Sequence, residues 1–334
     1  MVILTPFKRG CSKRSRNYRR FMDGIVVMDK PAGLTSHDVV RKVKKILGAG
    51  KAGHTGTLDP MATGVLPVCV GEATKLAPFL SAENKTYLAT MLLGVETDTQ
   101  DTEGEIIEKS DRVVSEEQIR TALGRLVGKI KQVPPAFSAL KHKGRPLYKY
   151  ARAGEFPEIA PRDVEIFSLN VRDISFPDVT FDISCSKGTY IRTICSDVGH
   201  ALGCGACLSG LRRLRSGFFT EDMAAPLENG APADIKKELL SKMLPMAQSL
   251  PAFAAVHISE TAAGKLRAGF QPDADMVRQN VLPFLAAGDM VKFISPDGKL
   301  VAVAEMQMPA GEWAVQDGKT QVARMIRVFN RSHP

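Results

Sequence analysis

The stretch Gly53–Lys75 (GHTGTLDPMATGVLPVCVGEATK) constrains the fold of this chain more than any other. Its glycines, threonines and prolines leave little regular helix or strand in its first half, because glycine opens unusual backbone conformations and proline fixes a torsion. Asp59, beside Pro60, is the only acidic residue of that half. Asp before Pro is typical of a simple turn. The functional interpretation is a carboxylate presented from a stiff loop with an apolar flank, and both interpretations are open at this point.

The composition is typical of a soluble globular protein. The chain has 334 residues, 44% of them hydrophobic and 24% charged, which allows a catalytic domain and a smaller second one. No apolar run approaches the ~18 residues of a membrane span, and the N-terminus lacks the apolar region of a signal peptide. Six scattered cysteines do not resemble a disulfide framework. We therefore predict a cytoplasmic protein without membrane association.

The basic charge is concentrated at the N-terminus. The net charge is +9, but residues 1–21 contain seven Lys and Arg and no acid, which leaves +2 for the rest of the chain. This tail is predicted to be disordered, and it is either a phosphate-binding arm or a segment ahead of an initiator at Met22. An organelle transit peptide is a third interpretation. Overall basicity is therefore weak support for nucleic-acid binding by the folded part.

Hydrophobic periodicity and turn signals place the regular elements. Alternation and apolar runs predict strands, spacings of three and four predict helices, and Pro-Asp-Gly between apolar runs predicts a hairpin. The predicted elements are a strand after Met22, a helix from Thr35 to Gly48, a strand at Thr86–Val95, a capped helix after Ser115, a strand at Val179–Ser186, a helix from Tyr190 to Gly203, a helix at Ile235–Met243, a hairpin of Met290–Ile294 with Leu300–Ala304, and a strand at Val322–Phe329.

Two apparent metal sites fail on ligand spacing. The acidic stretch Asp98–Gly104 suggests a calcium loop, but its glycine falls one place late. Cys204 and Cys207 form one CxxC with His200 nearby, whereas a structural zinc site needs about four ligands. We predict buried cysteines there and no metal site.

A second irregular stretch carries basic and aromatic residues together. Between Gln132 and Arg152, paired prolines precede Lys141, Lys143, Arg145 and Lys149, with Tyr148 and Tyr150 interleaved. Cations alternating with aromatic side chains suit contact with a structured nucleic acid. A basic helix face, Arg41–Lys45, is equally typical of a solvated surface.

Eight motifs in order resemble the bacterial TruB family, the enzymes that make pseudouridine at position 55 in the T loop of tRNA. They are MDKPAGLTS, GHTGTLDPMATGVLP, GEATK, NKTY, QVPPAFSALK, LYKYARAG, CSKGTYIRT and LRRLRSG, and they run from about Gly24 to Phe218. The family often has Tyr where Phe137 stands, a change that keeps the aromatic surface. The C-terminal region resembles the family's PUA-type RNA-binding module through GDMVKF and LVAVAEM.

The resemblance implies a role for each site residue. Asp59 would be the catalytic carboxylate, kept ionised and oriented by the planar fork of Arg192. Tyr87 would stack on a flipped-out uracil and assist proton removal at C5. The implied substrate-binding residues are His54, Tyr190, Leu211, Lys30 and Lys75, the two lysines positioning the loop or phosphates. The isomerisation requires no cofactor, because it has no net redox change.

The resemblance also implies an architecture and a function. The fold expected is α+β: a pseudouridine-synthase catalytic domain at 22–220, with a central mixed or antiparallel sheet flanked by helices. A connector at 221–250 and a small β-rich PUA-like domain at 251–334 would follow. The expected activity is tRNA pseudouridine(55) synthase, an isomerase binding the tRNA T stem-loop as a monomer without an obligate protein partner. The alternative is a non-catalytic tRNA-binding or tRNA-folding module on the same scaffold.

Overall fold

The computed structural model describes residues 22–227, 231–280 and 285–330, so the tail predicted at 1–21 lies outside the described residues. The strands, in chain order, are β1 (Gly24–Lys30), β2 (Ala52–His54), β3 (Thr63–Val70), β4 (Lys85–Leu93), β5 (Val95–Thr97), β6 (Ile106–Lys109), β7 (Gly128–Gln132), β8 (Lys141–His142), β9 (Arg145–Pro146), β10 (Arg162–Ser175), β11 (Asp178–Cys185), β12 (Ala206–Ser216), β13 (Phe219–Thr220), β14 (Ala225–Pro226), β15 (Ala254–His257), β16 (Met290–Ile294), β17 (Leu300–Met306) and β18 (Ala323–Val328).

Short and medium helices lie between these strands. The α-helices are α1 (Ser36–Leu47), α2 (Ala77–Ser81), α3 (Glu116–Gly124), α4 (Leu147–Ala151), α5 (Ile191–Leu202), α6 (Pro232–Ser241), α7 (Glu260–Arg267) and α8 (Ala274–Val277). Short 3₁₀ helices cover Gly71–Leu76, Glu221–Met223 and Ala310–Val315. Within the three described ranges, no helix is long and apolar enough to cross a membrane.

A ten-stranded mixed sheet forms the centre of the molecule. Its order is β14-β1-β3-β12-β4-β11-β10-β7, with β2 beside β3 and β13 beside β12. The pairs β1–β14 and β3–β12 are parallel, and the other pairs are antiparallel. The predicted α+β class with a central mixed sheet is confirmed.

Helix α1 follows directly from its sequence. The Thr35 side chain accepts a hydrogen bond from the Asp38 N–H, and Asp38 bonds back to the Thr35 N–H in a capping box. Gly48 ends the helix at a φ of 68°, a left-handed conformation that glycine adopts without a steric cost. Val39, Val43 and other apolar residues bury one face of the helix, while its basic residues stay exposed.

Strand β1 is apolar throughout because both of its faces are covered. Val26 and Met28 join the cluster beneath α1, α3 and α5. Ile25 and Val27 point to the opposite cluster. A continuous apolar run is the pattern expected when neither face of a strand meets water.

Strands β3 and β12 approach each other closely at Gly64. This glycine has a φ of +96°, and a Cβ added to it would lie 2.3 Å from the carbonyl oxygen of Arg213. Any other residue would push β12 away from the loop that precedes β3. Gly64 therefore sets the spacing between Asp59 and the strand that carries Leu211 and Arg213.

A second, four-stranded sheet follows, with the order β15-β16-β17-β18. The predicted hairpin of β16 with β17 and the predicted last strand β18 are confirmed. One cluster joins this sheet to the first, because Leu300, Val303 and Phe329 pack with Ile25 and Leu76. The PUA-like assignment of this sheet and the residue bounds of the domains remain predictions.

The stretch 221–250 is more than an extended connector. It contains β14 and α6, and the backbone of Leu244 exchanges two hydrogen bonds with Ile25, at 2.8 and 2.9 Å. Leu239 is fully buried in the cluster beneath α1. The stretch therefore completes the edge of the first sheet.

Candidate active site

The loop between β2 and β3 is anchored by a buried serine. The Ser36 hydroxyl accepts a hydrogen bond from the Leu58 N–H at 2.8 Å and donates one to the Leu58 carbonyl at 3.0 Å. Both backbone groups next to Asp59 are thereby satisfied away from water, as buried polar groups require. The Ala62 N–H donates to the Asp59 carbonyl at 3.1 Å, so the predicted Asp-Pro turn is present.

Lys30 also anchors the loop between β2 and β3. Its side chain is fully buried, and its ammonium donates to the carbonyls of Pro31, Pro60 and Ala62 at 2.9, 2.9 and 2.6 Å. Burial lowers the pKa of Lys30 to about 8, and the carboxylate of Asp59 partly offsets this effect. Lys30 is thus hydrogen-bonded to the loop that carries Asp59, and it does not line the cavity.

The predicted ion pair between Asp59 and Arg192 is present. Arg192 Nε lies 3.0 Å from Asp59 Oδ2, and Nη2 lies 3.3 Å from Oδ1, so the guanidinium meets the carboxylate as a fork. The other donors of Arg192 reach the carbonyls of Thr99 at 2.9 Å and Phe137 at 3.0 Å. The Arg192 side chain is 5% exposed and that of Asp59 is 33% exposed. The carboxylate therefore faces an opening while its counter-ion is buried.

A second carboxylate flanks Arg192. Asp101 Oδ2 lies 3.6 Å from Arg192 Nε, and the Asp101 side chain is buried. The Thr99 hydroxyl and the Glu103 N–H donate to its other oxygen at 2.6 and 3.1 Å. The stretch that fails as a calcium loop thus provides a fixed acidic partner for Arg192.

An open cavity of about 700 Å³ gathers most of the predicted site residues. Six of the eight line it: His54, Asp59, Tyr87, Tyr190, Arg192 and Leu211. They come from β2, the following loop, β4, α5 with its N-cap, and β12. Residues far apart in sequence therefore meet in one space large enough for a nucleotide.

Tyr87 is buried beside the charged groups of the cavity. Desolvation raises the pKa of its phenol, whereas the positive charge of Arg213 and a hydrogen bond to Arg213 lower it. On the neighbouring strand, Leu211 pairs with Ala89 and Arg213 pairs with Tyr87. The aromatic ring and the Leu211 side chain therefore approach the cavity from adjacent strands.

Gln132 holds Tyr190 at the start of α5. Its side-chain amide donates to the Tyr190 carbonyl at 3.1 Å, and its oxygen accepts from the Tyr190 N–H at 2.8 Å. On the other side of the cavity, His54 Nδ1 is buried with no hydrogen-bond partner among the described residues. Burial, and after it the charge of Arg213, lowers the pKa of His54. A neutral imidazole is thus expected at this wall of the cavity.

Lys75 lies elsewhere, between the two sheets. Its ammonium contacts Glu72 at 2.5 Å and donates to the Val328 carbonyl at 3.1 Å, and it lies 6.0 Å from the centre of the Phe329 ring. It does not line the cavity. The structure therefore does not bring Lys75 to the candidate site, because the chain turns away through the 3₁₀ helix after β3.

Four further residues of the site were missed by the sequence interpretation. Arg213, Lys85 and Asp101 line the cavity and are almost fully buried, and Gln132 acts through Tyr190. Burial lowers the pKa of Lys85 to about 8. Strand alternation in the sequence could have predicted the burial of Arg213 and Lys85. It places Lys85 on the same strand face as Tyr87, and it places Arg213 on the inward side of LRRLRS.

The described residues contain no cluster of three or more His, Cys, Asp or Glu side chains able to hold a metal ion. Cys204 and Cys207 are buried and free. His200 points outward and contacts Glu96 at 2.9 Å. The predicted burial of the CxxC cysteines is confirmed.

Comparisons with known proteins agree with this geometry. Residues 44–191 match the family model "TruB family pseudouridylate synthase (N terminal domain)", and residues 192–250 match "tRNA pseudouridylate synthase B C-terminal domain". The second match begins inside the site, at Arg192, so this family boundary differs from the predicted division at 220.

Curated relatives of this chain carry the name tRNA pseudouridine synthase B. That of Syntrophus aciditrophicus is 51% identical over 309 residues, covering 92% of this chain and 99% of the relative. That of Geobacter sulfurreducens is 44% identical over 310 residues, covering 92% and 100%.

Among solved structures, the chain is similar to a protein in an H/ACA RNP bound to a substrate RNA containing 2′-deoxyuridine. The TM-score is 0.70 at 29% identity, covering 92% of this chain and 85% of the other. A chain of the archaeal box H/ACA sRNP Nop10-Cbf5 complex gives 0.69 at 27%, covering 91% and 85%. The fold is that of a pseudouridine synthase. The chain belongs to the TruB family of pseudouridylate synthases, and it is an enzyme that isomerises uridine to pseudouridine.

Proposed function

We propose that the enzyme acts on uridine 55 in the T loop of tRNA and that Asp59 is its catalytic carboxylate. The observation that carries this proposal is the forked ion pair of Asp59 with a buried Arg192 at the mouth of the cavity. The two relatives described above are named as tRNA enzymes, which supports tRNA as the substrate. A uridine stacked in a folded loop has to be flipped out to enter such a cavity.

The reaction is an exchange of one bond for another. The bond from N1 of uracil to C1′ of the ribose breaks, the base rotates, and a bond from C5 to C1′ forms. C5 then loses its proton and N1 gains one, so no atom or electron is lost. An ionised Asp59 can serve this exchange by attack at C1′ or by removal of a proton from the sugar, and Arg192 holds its charge and direction in either route.

The other site residues have roles that follow from their positions. Tyr87 and Leu211, which both line the cavity, are proposed to sandwich the uracil ring, and Tyr87 is the group proposed to receive the C5 proton. Tyr190 completes the aromatic wall and His54 the opposite side. Lys30 acts indirectly, through the loop carbonyls that it binds.

The basic loop at Lys141–Arg152 is proposed to contact tRNA phosphates. Arg145 lies 4.3 Å from the centre of the Tyr150 ring, and Arg152 lies 5.6 Å from that of Tyr148, so these side chains form stacked pairs. Tyr148 and Arg152 also line the cavity. The loop thus links a positive surface to the opening in which Asp59 lies.

The chain is proposed to work alone, as a monomer in the cytoplasm. The apolar face of β1 that α1 leaves uncovered is closed by Leu300 and Phe329 of the second sheet, so no partner is needed there. The five described cysteines are free thiols, which fits a reducing compartment. Light scattering with and without tRNA should report one chain per complex.

The test is release of tritium from uridine labelled at C5 in a T-loop transcript. Wild type should release the label, and Asp59→Asn should not, although it should still bind the transcript. Asp29→Asn is the matched control, because Asp29 meets Arg212 in a similar fork, at 3.0 and 3.1 Å, outside the cavity. Tight binding by wild type without release would instead support a non-catalytic tRNA-binding or tRNA-folding module.

A further inference from the structure

Arg213 is a buried cation in the wall of the cavity. Its side chain is 1% exposed and is among the largest fully buried side chains of the described residues. Nε donates to the Val65 carbonyl at 2.7 Å, Nη2 to that of Gly56 at 3.1 Å, and Nη1 to that of Thr57 at 3.4 Å. These contacts fix the guanidinium against the backbone that leads to Asp59.

The charge of Arg213 has no acidic counterpart of its own. Among the described residues, no carboxylate oxygen lies within 4.0 Å of it, whereas Arg192 contacts two carboxylates. A guanidinium has five N–H groups, and the three carbonyls occupy three of them. A buried cation without a carboxylate partner is costly unless it meets negative charge at some stage of the reaction.

Tyr87 is the group that faces this cation. Arg213 and Tyr87 are direct partners in the antiparallel register of β12 and β4, and both line the cavity. Side chains opposite one another in such a pair have Cβ atoms about 5 Å apart and lie on the same face of the sheet. The loop carbonyls that hold Arg213 prevent its head group from turning away.

The protonation of Tyr87 depends on this neighbour. Desolvation raises the pKa of the phenol above its ordinary value, and the charge and hydrogen bond of Arg213 act in the opposite direction. Removal of Arg213 would leave desolvation unopposed, with Cys185 and Asp59 adding to it. The phenolate would then be harder to form.

We propose that Arg213 is the positioning residue for proton transfer from C5, holding the phenol of Tyr87 and stabilising its negative charge. This inference rests on the proposed function, in which Tyr87 receives that proton. The phenolate oxygen takes the proton from C5 after C5 has bonded to C1′, and the electrons of the C5–H bond restore the C5=C6 double bond. N1 gains a proton, and the Tyr87 phenol returns its own to solvent.

The experiment compares T-loop transcripts carrying C5–H or C5–D at the target uridine, under single-turnover conditions. Arg213→Gln should lower the rate by about 10²-fold, the usual contribution of a positioned proton acceptor. It should also raise the ratio of the C5–H rate to the C5–D rate above that of wild type, because proton transfer becomes the slow step. Arg215→Gln, an exposed position on the same strand, is the matched control and should keep the wild-type ratio.

A purely structural role for Arg213 would slow every step and leave the isotope ratio unchanged. Contact of Arg213 with an RNA phosphate would weaken transcript binding and also leave the ratio unchanged. Either result overturns the inference.

Arg213→Lys keeps the cation and should give a smaller rise in the ratio of the C5–H rate to the C5–D rate. If Arg213→Gln does not fold, Arg213→Lys becomes the test, and a wild-type ratio in Arg213→Lys overturns the inference. Absence of pseudouridine with wild type would overturn the proposed function and this inference together, whereas normal wild-type turnover with an unchanged ratio in the variants overturns this inference alone.

Discussion

Nitrogen Nη2 of Arg192 lies 3.3 Å from Asp59 Oδ1 and 3.0 Å from the carbonyl oxygen of Phe137. The carboxylate and the loop that follows β7 are therefore held by the same atom. A movement of this loop on binding RNA would therefore shift the Arg192 guanidinium and the Asp59 carboxylate that it holds. The shape of the guanidinium, and not only its charge, is what makes this double contact.

Arg192→Lys should accordingly reduce turnover while retaining binding. A lysine keeps the positive charge but cannot form a fork with Asp59 and reach two carbonyls as well. We expect the rate of pseudouridine formation to fall by about 10²-fold, as for a misplacement of about 1 Å. Arg172→Lys, at an exposed arginine that pairs with Asp182, is the control and should leave the rate unchanged. Full activity of Arg192→Lys would contradict the importance of the fork.

Ser36→Ala should destabilise the protein through the loop of Asp59. It removes the partner of both the N–H and the carbonyl of Leu58, which are buried. The free energy of unfolding should fall by about 1–3 kcal/mol, the cost of unsatisfied buried groups. Denaturant unfolding measures this value. Ser81→Ala, at an exposed hydroxyl, should change it by less than about 0.5 kcal/mol, and equal losses for the two variants would disprove the anchoring role of Ser36.

Lys30 should make stability rise with pH above about 8. The folded chain holds Lys30 at a pKa of about 8, whereas the ordinary value is 10.5. Between these values the unfolded chain binds more protons, so raising the pH favours folding. The difference in unfolding free energy between wild type and Lys30→Met should increase by at most about 1.4 kcal/mol per pH unit in that window. Lys85 shifts in the same direction, but it is present in both proteins and cancels. A flat difference would show that Lys30 titrates normally.

Neutralising Lys141 and Lys149 together should flatten the salt dependence of tRNA binding. Both are exposed in the basic loop. If each contacts a phosphate, the slope of log K against log salt should decrease by roughly two. The same double change at Lys236 and Lys237, which are exposed on α6, removes equal charge elsewhere and should leave the slope unchanged. An unchanged slope in both variants would assign the loop to ordinary solvated surface.

Periodicity and turn chemistry were sufficient for most of the regular structure. The helix at Thr35–Gly48 and the strand at Val179–Ser186 are present within a residue or two, because capping and alternation are local properties. The burial of Arg213 and Asp101 was not predicted. A charged residue is predicted to lie at the surface unless the carbonyls or cations that surround it are known. These partner groups come from parts of the chain that are distant in sequence.

The ordered motifs identified the site better than any local rule. Asp59 and Arg192 are 133 residues apart, and nothing in either neighbourhood indicates the other. Lys75 also belongs to one of the motifs, but it lies between the two sheets and not in the cavity. Motif membership alone does not separate these two roles.

The shared core of the two sheets has a consequence for how the chain is made. Phe329, Leu76 and Ile25 belong to one buried cluster, so β1 and the residues that follow β18 depend on each other. A chain emerging from the ribosome N-terminus first leaves that face of β1 open until the second sheet has been synthesised. Translation that stops early, or a truncation that removes the second sheet, would therefore leave an apolar surface prone to association.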